Sequence, residues 1–184
     1  MQVRYLTRSA VLLALAVAVQ MMGLPQLVTG SAVNTVLYLT TWAAPPLYGV
    51  LVGSLTPVIA FWRGIMPAGP LVPFIAVGNG ILVLVFWASQ RLVQLAGQRH
   101  AGHPPRTPRG SYGWVMGGLA GVLAAASLKA GFLAFSVARL VHVPPQLVAA
   151  MQWPQLVTAL TGGVIALALY SVLRPVFSRQ GTMG

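Results

Sequence analysis

Six stretches of apolar residues run along the chain, separated by short segments rich in Gly, Pro or Arg. They cover residues 9–24, 32–44, 46–62, 71–90, 114–138 and 151–173. A helix needs about 20 mainly apolar residues to cross the hydrocarbon core of a bilayer, so the longer stretches are typical of transmembrane helices. The pattern therefore predicts an all-α integral membrane bundle of six transmembrane helices.

The second and third stretches are short, and the proline pair at Pro45 and Pro46 divides them. Because such a pair either bends or ends a helix, residues 33–62 fit two helices or one kinked helix. Arginine positions distinguish the two, since Lys and Arg concentrate in cytoplasmic loops. Six spans with a cytoplasmic N-terminus place eight arginines inside and only Arg63 and Arg139 outside, whereas five spans place four inside and six outside. We therefore expect six spans with both termini cytoplasmic.

Composition agrees with a membrane location. Apolar residues make up 57% of the 184 positions and charged residues only 6%, compared with about 25% charged residues in a soluble domain. The mean hydropathy is +0.81. The chain has 11 Lys or Arg and no Asp or Glu. Because these basic residues lie between apolar stretches, they indicate membrane orientation and contact with anionic lipid rather than nucleic-acid binding.

Residues 91–113 have a soluble-loop composition, with three prolines and four arginines. We expect them to form a mobile, basic cytoplasmic linker between two three-helix halves of one transmembrane domain, residues 1–184. The first thirty residues also fit a secretory signal peptide, with Arg4 and Arg8 preceding an apolar core. Removal of such a peptide would leave five spans and the same orientation for the rest.

Lys129 lies in the middle of the fifth stretch. An ionisable group at that depth is costly and usually faces the bundle interior or a wet cavity. Its usual partner would be Asp or Glu, and this chain has neither. A charged Lys129 then needs an anion from a ligand, a partner subunit or a lipid; the alternatives are carbonyl contacts, snorkelling or a neutral amine. The functional hypothesis is a lysine that contacts an anion in a substrate cavity.

Polar and aromatic residues are expected on the outer side of the membrane: Asn34, Trp42, Trp62, Arg63, Asn79, Gln146, Gln152, Trp153, Gln155 and Thr158. Lipid does not tolerate unpaired amides, so these groups need partners, although Trp also anchors helices at the interface and Asn79 also suits helix packing. We expect one outward-opening pocket, with residues 23–31 and 64–70 as its lid. The predicted substrate-binding residues are Lys129, Asn34, Asn79, Gln152, Trp153, Gln155 and Thr158.

Small residues recur in the first stretch at Ala10, Ala14 and Ala18. A spacing of four places them on one helix face and lets a second helix approach closely. That face serves either a partner protein or packing within the bundle.

Catalytic chemistry finds little support in the sequence. General acid or base catalysis inside the membrane would need a carboxylate or a histidine, but the chain has no Asp or Glu, and His100, His103 and His142 lie between the apolar stretches. Ser127 is near Lys129 in sequence, but residues two apart do not share a helix face. There is no cysteine, no clustered metal-ligand set and no phosphate-binding loop. We predict no enzymatic activity, no cofactor and no metal.

Several segments resemble the substrate-binding S components of energy-coupling factor (ECF) vitamin transporters. They are TRSAVLLALAVAVQ with its alanine face, LTP at residues 55–57, GN at 78–79 and WPQLVT at 153–158. The resemblance covers nearly the whole chain. It implies a receptor in the bacterial inner membrane that captures a vitamin or related micronutrient from outside.

The same resemblance implies partners. An S component docks on a transmembrane T component driven by two cytoplasmic ATPases, and Ala10, Ala14 and Ala18 would form the docking surface. No family signature for cobalt, nickel, thiamine or riboflavin is present, and the lack of acidic residues together with Lys129 favours a neutral or anionic substrate. The alternative is a scaffold protein similar to the cell-shape protein MreD, in which Lys129 contacts a partner's acid and the core is filled.

Overall fold

The computed structural model describes residues 2–66, 69–101 and 112–179. These residues form an all-α bundle, as the sequence predicts. Seven helices follow one another along the chain: α1 (Gln2–Met21), α2 (Gln26–Ala43), α3 (Pro46–Trp62), α4 (Val72–Ala101), α5 (Tyr112–Arg139), the short α6 (Pro145–Ala150) and α7 (Trp153–Arg179). A single 3-10 turn, Gly69–Leu71, precedes α4.

The six long helices correspond to the six apolar stretches. Four segments are long and apolar enough to cross a membrane by length and composition: Val3–Met21, Gly69–Ala96, Val115–Arg139 and Pro145–Val172. The third helix, α3, is apolar but has only 17 residues. The second, α2, carries many polar groups, and most of its residues between 31 and 40 are buried. The polar helix therefore lies inside the bundle and the apolar ones surround it.

The proline pair ends one helix and begins the next, so the kinked-helix alternative is wrong. Ala44 is extended, with φ −152° and ψ 164°, and Pro45 has φ −54° and ψ 152°. Each of these residues precedes a proline, whose ring disfavours the helical region for the residue before it. Pro46 then occupies the first turn of α3. A backbone N–H at that position would have no acceptor within the helix, so proline loses no hydrogen bond there.

Two further elements differ from the prediction. The fourth helix, α4, continues to Ala101, so the first part of the predicted linker at 91–113 is helical, as are Tyr112 and Gly113 at its end. Residues 91–101 contain no proline and are rich in Leu, Gln, Arg and Ala, which favour helix. The rest of that linker, residues 102–111, lies outside the described residues. The short α6 was also not predicted; it begins just after Pro144 and packs beside the start of α7.

The connections between helices divide into two groups, one at each end of the bundle. The α1–α2, α3–α4 and α5–α7 connections meet at one end, together with α6; we call this the α6 end. The start of α1, the α2–α3 connection and the last part of α7 lie at the opposite end. There Tyr5 and Tyr48 approach to 6.2 Å between ring centroids, and Trp42 stacks on Tyr170 at 4.2 Å.

The centre of the bundle is formed by α2 against α4, α5 and α7. Its apolar core includes Leu37, Tyr38, Val83, Phe86 and Ala125. Close approach of α2 and α7 depends on glycine, because a Cβ atom at Gly162 would lie 2.6 Å from the Ser31 carbonyl oxygen and 2.9 Å from the Thr35 nitrogen.

At the edge of the bundle, α1 packs on α2 and α3. Ala16 is fully buried against the bundle, whereas Ala10, Ala14 and Ala18 are exposed. The alternative in which the alanine face packs within the bundle is therefore wrong.

We expect Gly162→Ala to destabilise the bundle by about 1–3 kcal/mol, because the new methyl group meets main-chain atoms of α2 that cannot move aside. The matched control is Gly131→Ala on α5, where a Cβ has no atom within 4 Å. Thermal unfolding in detergent should show a lower Tm for Gly162→Ala and an unchanged or slightly higher Tm for Gly131→Ala. Equal Tm values for the two variants would contradict the close α2–α7 approach.

Candidate functional site

A cavity of about 460 Å³ opens at the α6 end of the bundle. Its wall contains the end of α1, the first half of α2, the second half of α3, the start of α4, one residue of α5, and residues of α6 and α7. Gly23 and Leu24 from the α1–α2 connection, and Ile65 and Met66 after α3, lie in the wall near the loops. Residues of both segments predicted as lid loops line this cavity, but residues 26–31 belong to helix α2, and residues 67–68 lie outside the described residues.

Lys129 is the α5 residue in the wall, and it is only 3% exposed. Its Nζ donates hydrogen bonds to Oδ1 of Asn34 at 2.6 Å and to Oδ1 of Asn79 at 2.7 Å. Both asparagines also line the cavity and are buried. One cation from α5 is thus held by amides from α2 and α4, and the contact joins three helices.

Asn79 is oriented by a proline on the neighbouring helix. Pro57 lies inside α3 and has no N–H, so the carbonyl of Gly53, four residues earlier, lacks its usual helical donor. Asn79 Nδ2 donates to that carbonyl oxygen at 2.8 Å. Close approach is possible because Gly53 has no side chain; a Cβ there would lie 3.0 Å from the Asn79 Cβ. This bond turns the Asn79 oxygen towards Lys129.

Asn34 is oriented by the last helix. Its Nδ2 donates to Oγ1 of Thr158 at 3.3 Å, and the Thr158 hydroxyl donates to the Gln155 carbonyl oxygen at 3.2 Å. Gly30, one turn before Asn34, allows α2 to approach this threonine, since a Cβ at Gly30 would lie 2.9 Å from the Thr158 methyl carbon. Both amide oxygens that face Lys129 are therefore held in place by a second hydrogen bond.

Five of the seven predicted substrate-binding residues come together in this arrangement. Lys129, Asn34, Asn79 and Gln155 line the cavity, and Thr158 is buried behind Asn34. Gln152 is exposed and Trp153 is 63% exposed, and neither lies in the cavity wall. Both sit where the chain turns from α6 into α7, so their side chains point away from the bundle.

Other residues of the predicted outer group separate in the structure. Trp42 was expected on the outer side but stacks on Tyr170 at the end opposite α6. The reason is that α2 begins at the α6 end, and Trp42 lies near its C-terminus, at the other end of the bundle. Trp62 is the last residue of α3 and is 82% exposed at the α6 end. Such a position suits an interfacial anchor.

Sequence reasoning missed several residues of the wall. Gln20 and Gln26 flank the α1–α2 connection and line the cavity, and Gly53 and Pro57 organise it from α3. A signal for the last two was present: a proline inside an apolar helix leaves one carbonyl without a donor, and a buried asparagine needs an acceptor.

The groups that line the site suit the binding of a small molecule. Among the described residues no three His, Cys, Asp or Glu side chains group to hold a metal ion. Ser127 is exposed on α5, on a different face from buried Lys129. The groups that line the cavity are one ammonium, neutral amides and hydroxyls, and apolar side chains. Such a set can hold and orient a small molecule.

A double-mutant cycle tests the link between Pro57 and Asn79. We expect Asn79→Ala to reduce the free energy of unfolding by about 1–3 kcal/mol, since it leaves the Gly53 carbonyl without a donor. In a Pro57→Ala background the restored N–H supplies that donor, so the same change should cost about 1 kcal/mol less. Denaturant unfolding measures both costs, with Gly131→Ala as the control background. Equal costs in all three backgrounds would refute the link.

Comparison with known proteins assigns no family to this chain. No protein-family model, curated protein or solved structure matches it. The resemblance to ECF S components therefore depends on the short sequence motifs, and any functional argument depends on the cavity and on the residues that surround Lys129.

Proposed function

We propose that the protein is a membrane-embedded solute-binding subunit of an ECF-type importer in the bacterial inner membrane. It captures a vitamin or related small neutral or anionic micronutrient on the outer side and carries out no chemistry on it. The observation that carries this proposal is a cavity whose wall contains a buried lysine in a chain without Asp or Glu.

The cavity favours this function over the scaffold alternative. A scaffold similar to MreD needs a filled core, and its lysine would face a partner protein. Here Lys129 is 3% exposed and lines a cavity of about 460 Å³, within the range of 300–1,000 Å³ that small-molecule pockets occupy. A protein partner's acid would have to enter this cavity to reach the lysine, whereas a small molecule fits inside it.

The distribution of arginines supports an outward opening of the cavity. At the α6 end, the described chain carries Arg63 just after α3 and Arg139 at the end of α5. The opposite end carries Arg4 and Arg8 at the start of α1 and Arg91 in the last part of α4. Because Lys and Arg favour the cytoplasmic side, this distribution supports an α6 end that faces outside and termini that face the cytoplasm.

The exposed face of α1 is the proposed docking surface for the T component. Ala10, Ala14 and Ala18 lie on the outside of the bundle, and small side chains let a partner helix approach closely. The T component and its two ATPases would provide the energy for release. The chain itself has no phosphate-binding loop.

We expect Lys129→Met to weaken binding of an anionic ligand by more than tenfold, or about 1.4 kcal/mol, because methionine keeps an unbranched side chain only one atom shorter but removes its charge. The ligand is first identified by mass spectrometry of small molecules extracted from the purified wild-type protein, and affinities are then measured by titration calorimetry. Gln152→Met is the matched control, since Gln152 lies outside the cavity wall. Equal affinity of the Lys129→Met variant and wild type would show that Lys129 does not contact the ligand.

We expect Ala14→Trp to abolish uptake in cells that produce the T component and ATPases, with ligand affinity of the purified protein within twofold of wild type. The indole would keep a partner helix away from α1 without reaching the cavity. Val164→Trp is the control, because Val164 is 54% exposed on α7 and is not part of the alanine face. Normal uptake by Ala14→Trp, or loss of ligand binding, would refute the assignment of this surface.

A further inference from the structure

When it is protonated, Lys129 has one N–H left over beyond its two hydrogen bonds. A protonated lysine carries three N–H donors, and two of them go to Oδ1 of Asn34 and Oδ1 of Asn79. Lys129 belongs to the cavity wall. The third donor is therefore available to an acceptor that enters the cavity.

Neither asparagine amide can rotate to present its nitrogen, instead of its oxygen, to Lys129. Asn79 Nδ2 bonds the Gly53 carbonyl oxygen, which only accepts, so the Asn79 oxygen must face the lysine. The Asn34 oxygen must also face the lysine. The Thr158 hydroxyl donates its proton to the Gln155 carbonyl oxygen, so it can only accept from the Asn34 nitrogen. The ammonium is thus coordinated by neutral acceptors, which solvate its charge without cancelling it.

When Lys129 is protonated, the cavity carries a single positive charge. Lys129 is the sole ionisable side chain among the described residues of the wall, and the chain contains no Asp or Glu. In a buried setting, one opposite charge is attracted strongly, a second anionic group would stay unpaired at a large cost, and a cation would be repelled. The wall therefore selects a ligand with one negative charge.

Most of the remaining wall is apolar, with Val33, Ala60, Ile75, Leu147 and Met151 as representative residues. A ligand that fills it needs an apolar body. Among the polar groups of this wall, Gln20 Oε1 is buried and has no hydrogen-bond partner within the described residues. An N–H or O–H on the ligand would satisfy it.

We propose that the cavity takes a monocarboxylate with a mainly apolar body. Its carboxylate accepts the third N–H of Lys129, and an N–H or O–H of the body donates to Gln20 Oε1. Phosphate esters fit less well, because a phosphate carries about −1.5 to −2 charges at neutral pH. This inference rests on the proposed solute-binding function and deepens it by naming the class of substrate.

Matched probes test the charge requirement. The full chain in lipid nanodiscs is titrated by calorimetry with 3-(indol-3-yl)propanoate and its amide, with the corresponding propylamine, and with the 5-carboxyindole dicarboxylate. These four molecules share the indole body and its N–H donor but differ in the charge of the groups attached to it. We expect the monocarboxylate to bind at least tenfold more tightly than each of the other three.

Two variants test whether Lys129 provides that selectivity. Lys129→Met removes the cation. Asn34→Asp places a carboxylate where the Asn34 Oδ1 atom now lies 2.6 Å from Nζ, and its negative charge balances the positive charge of the lysine. Both should lose at least tenfold in affinity for the monocarboxylate and lose less for the amide, so that the preference for the monocarboxylate falls. Asn34→Asp retains Lys129 as a partner, and the Thr158 hydroxyl can turn its proton from the Gln155 carbonyl oxygen to the new carboxylate, which keeps the fold testable. The control Gln152→Asp adds the same charge outside the cavity wall and should change affinity by less than twofold.

The outcomes separate this inference from the proposed function. Equal binding of amide and monocarboxylate, or full affinity of Asn34→Asp for the monocarboxylate, would overturn the monocarboxylate class while solute binding stands. A small molecule extracted from the purified protein that is cationic, or that has two acidic groups, would do the same. Failure of all four probes to bind, together with an extract free of small molecules, would overturn the solute-binding function as well.

Discussion

One ammonium group, buried in a bundle without Asp or Glu, is the interaction on which the site depends. Burial of an unpaired charge is costly, and this bundle meets the cost with two amide oxygens from separate helices. The arrangement joins α2, α4 and α5 around Lys129. Since each amide is in turn fixed by α7 or α3, five helices share in placing one charge at the wall of the cavity.

Much of the fold follows from the sequence because helices need only local signals. Apolar stretches broken by Gly and Pro predicted six long helices, and the prediction for Pro46–Trp62 matches its bounds. The count of arginines separated α2 from α3 without any structural information. Composition predicted a loop at residues 91–101, but helix-forming residues there continue α4. The sequence contained no sign of α6, because its six residues are too few to show a helical period.

The site was predictable in its polar members but not in its arrangement. Lys129, Asn34 and Asn79 stood out because lipid does not tolerate such groups unpaired, and the same argument favoured Gln155 and Thr158. Gln152 and Trp153 were included for their closeness in sequence, yet the turn before α7 directs them outward. Gln20 and Gly53 escaped notice, since their role depends on which helices become neighbours.

Pro57 has a consequence for how this protein varies among its relatives. A proline in the middle of an apolar helix is usually a burden, but here the carbonyl it leaves free is what turns the Asn79 amide. Each residue is tolerable because the other is present. We therefore expect these two positions to change together over evolution, so that a descendant which loses the proline also gives up the asparagine, and with it one of the two oxygens that hold the cation.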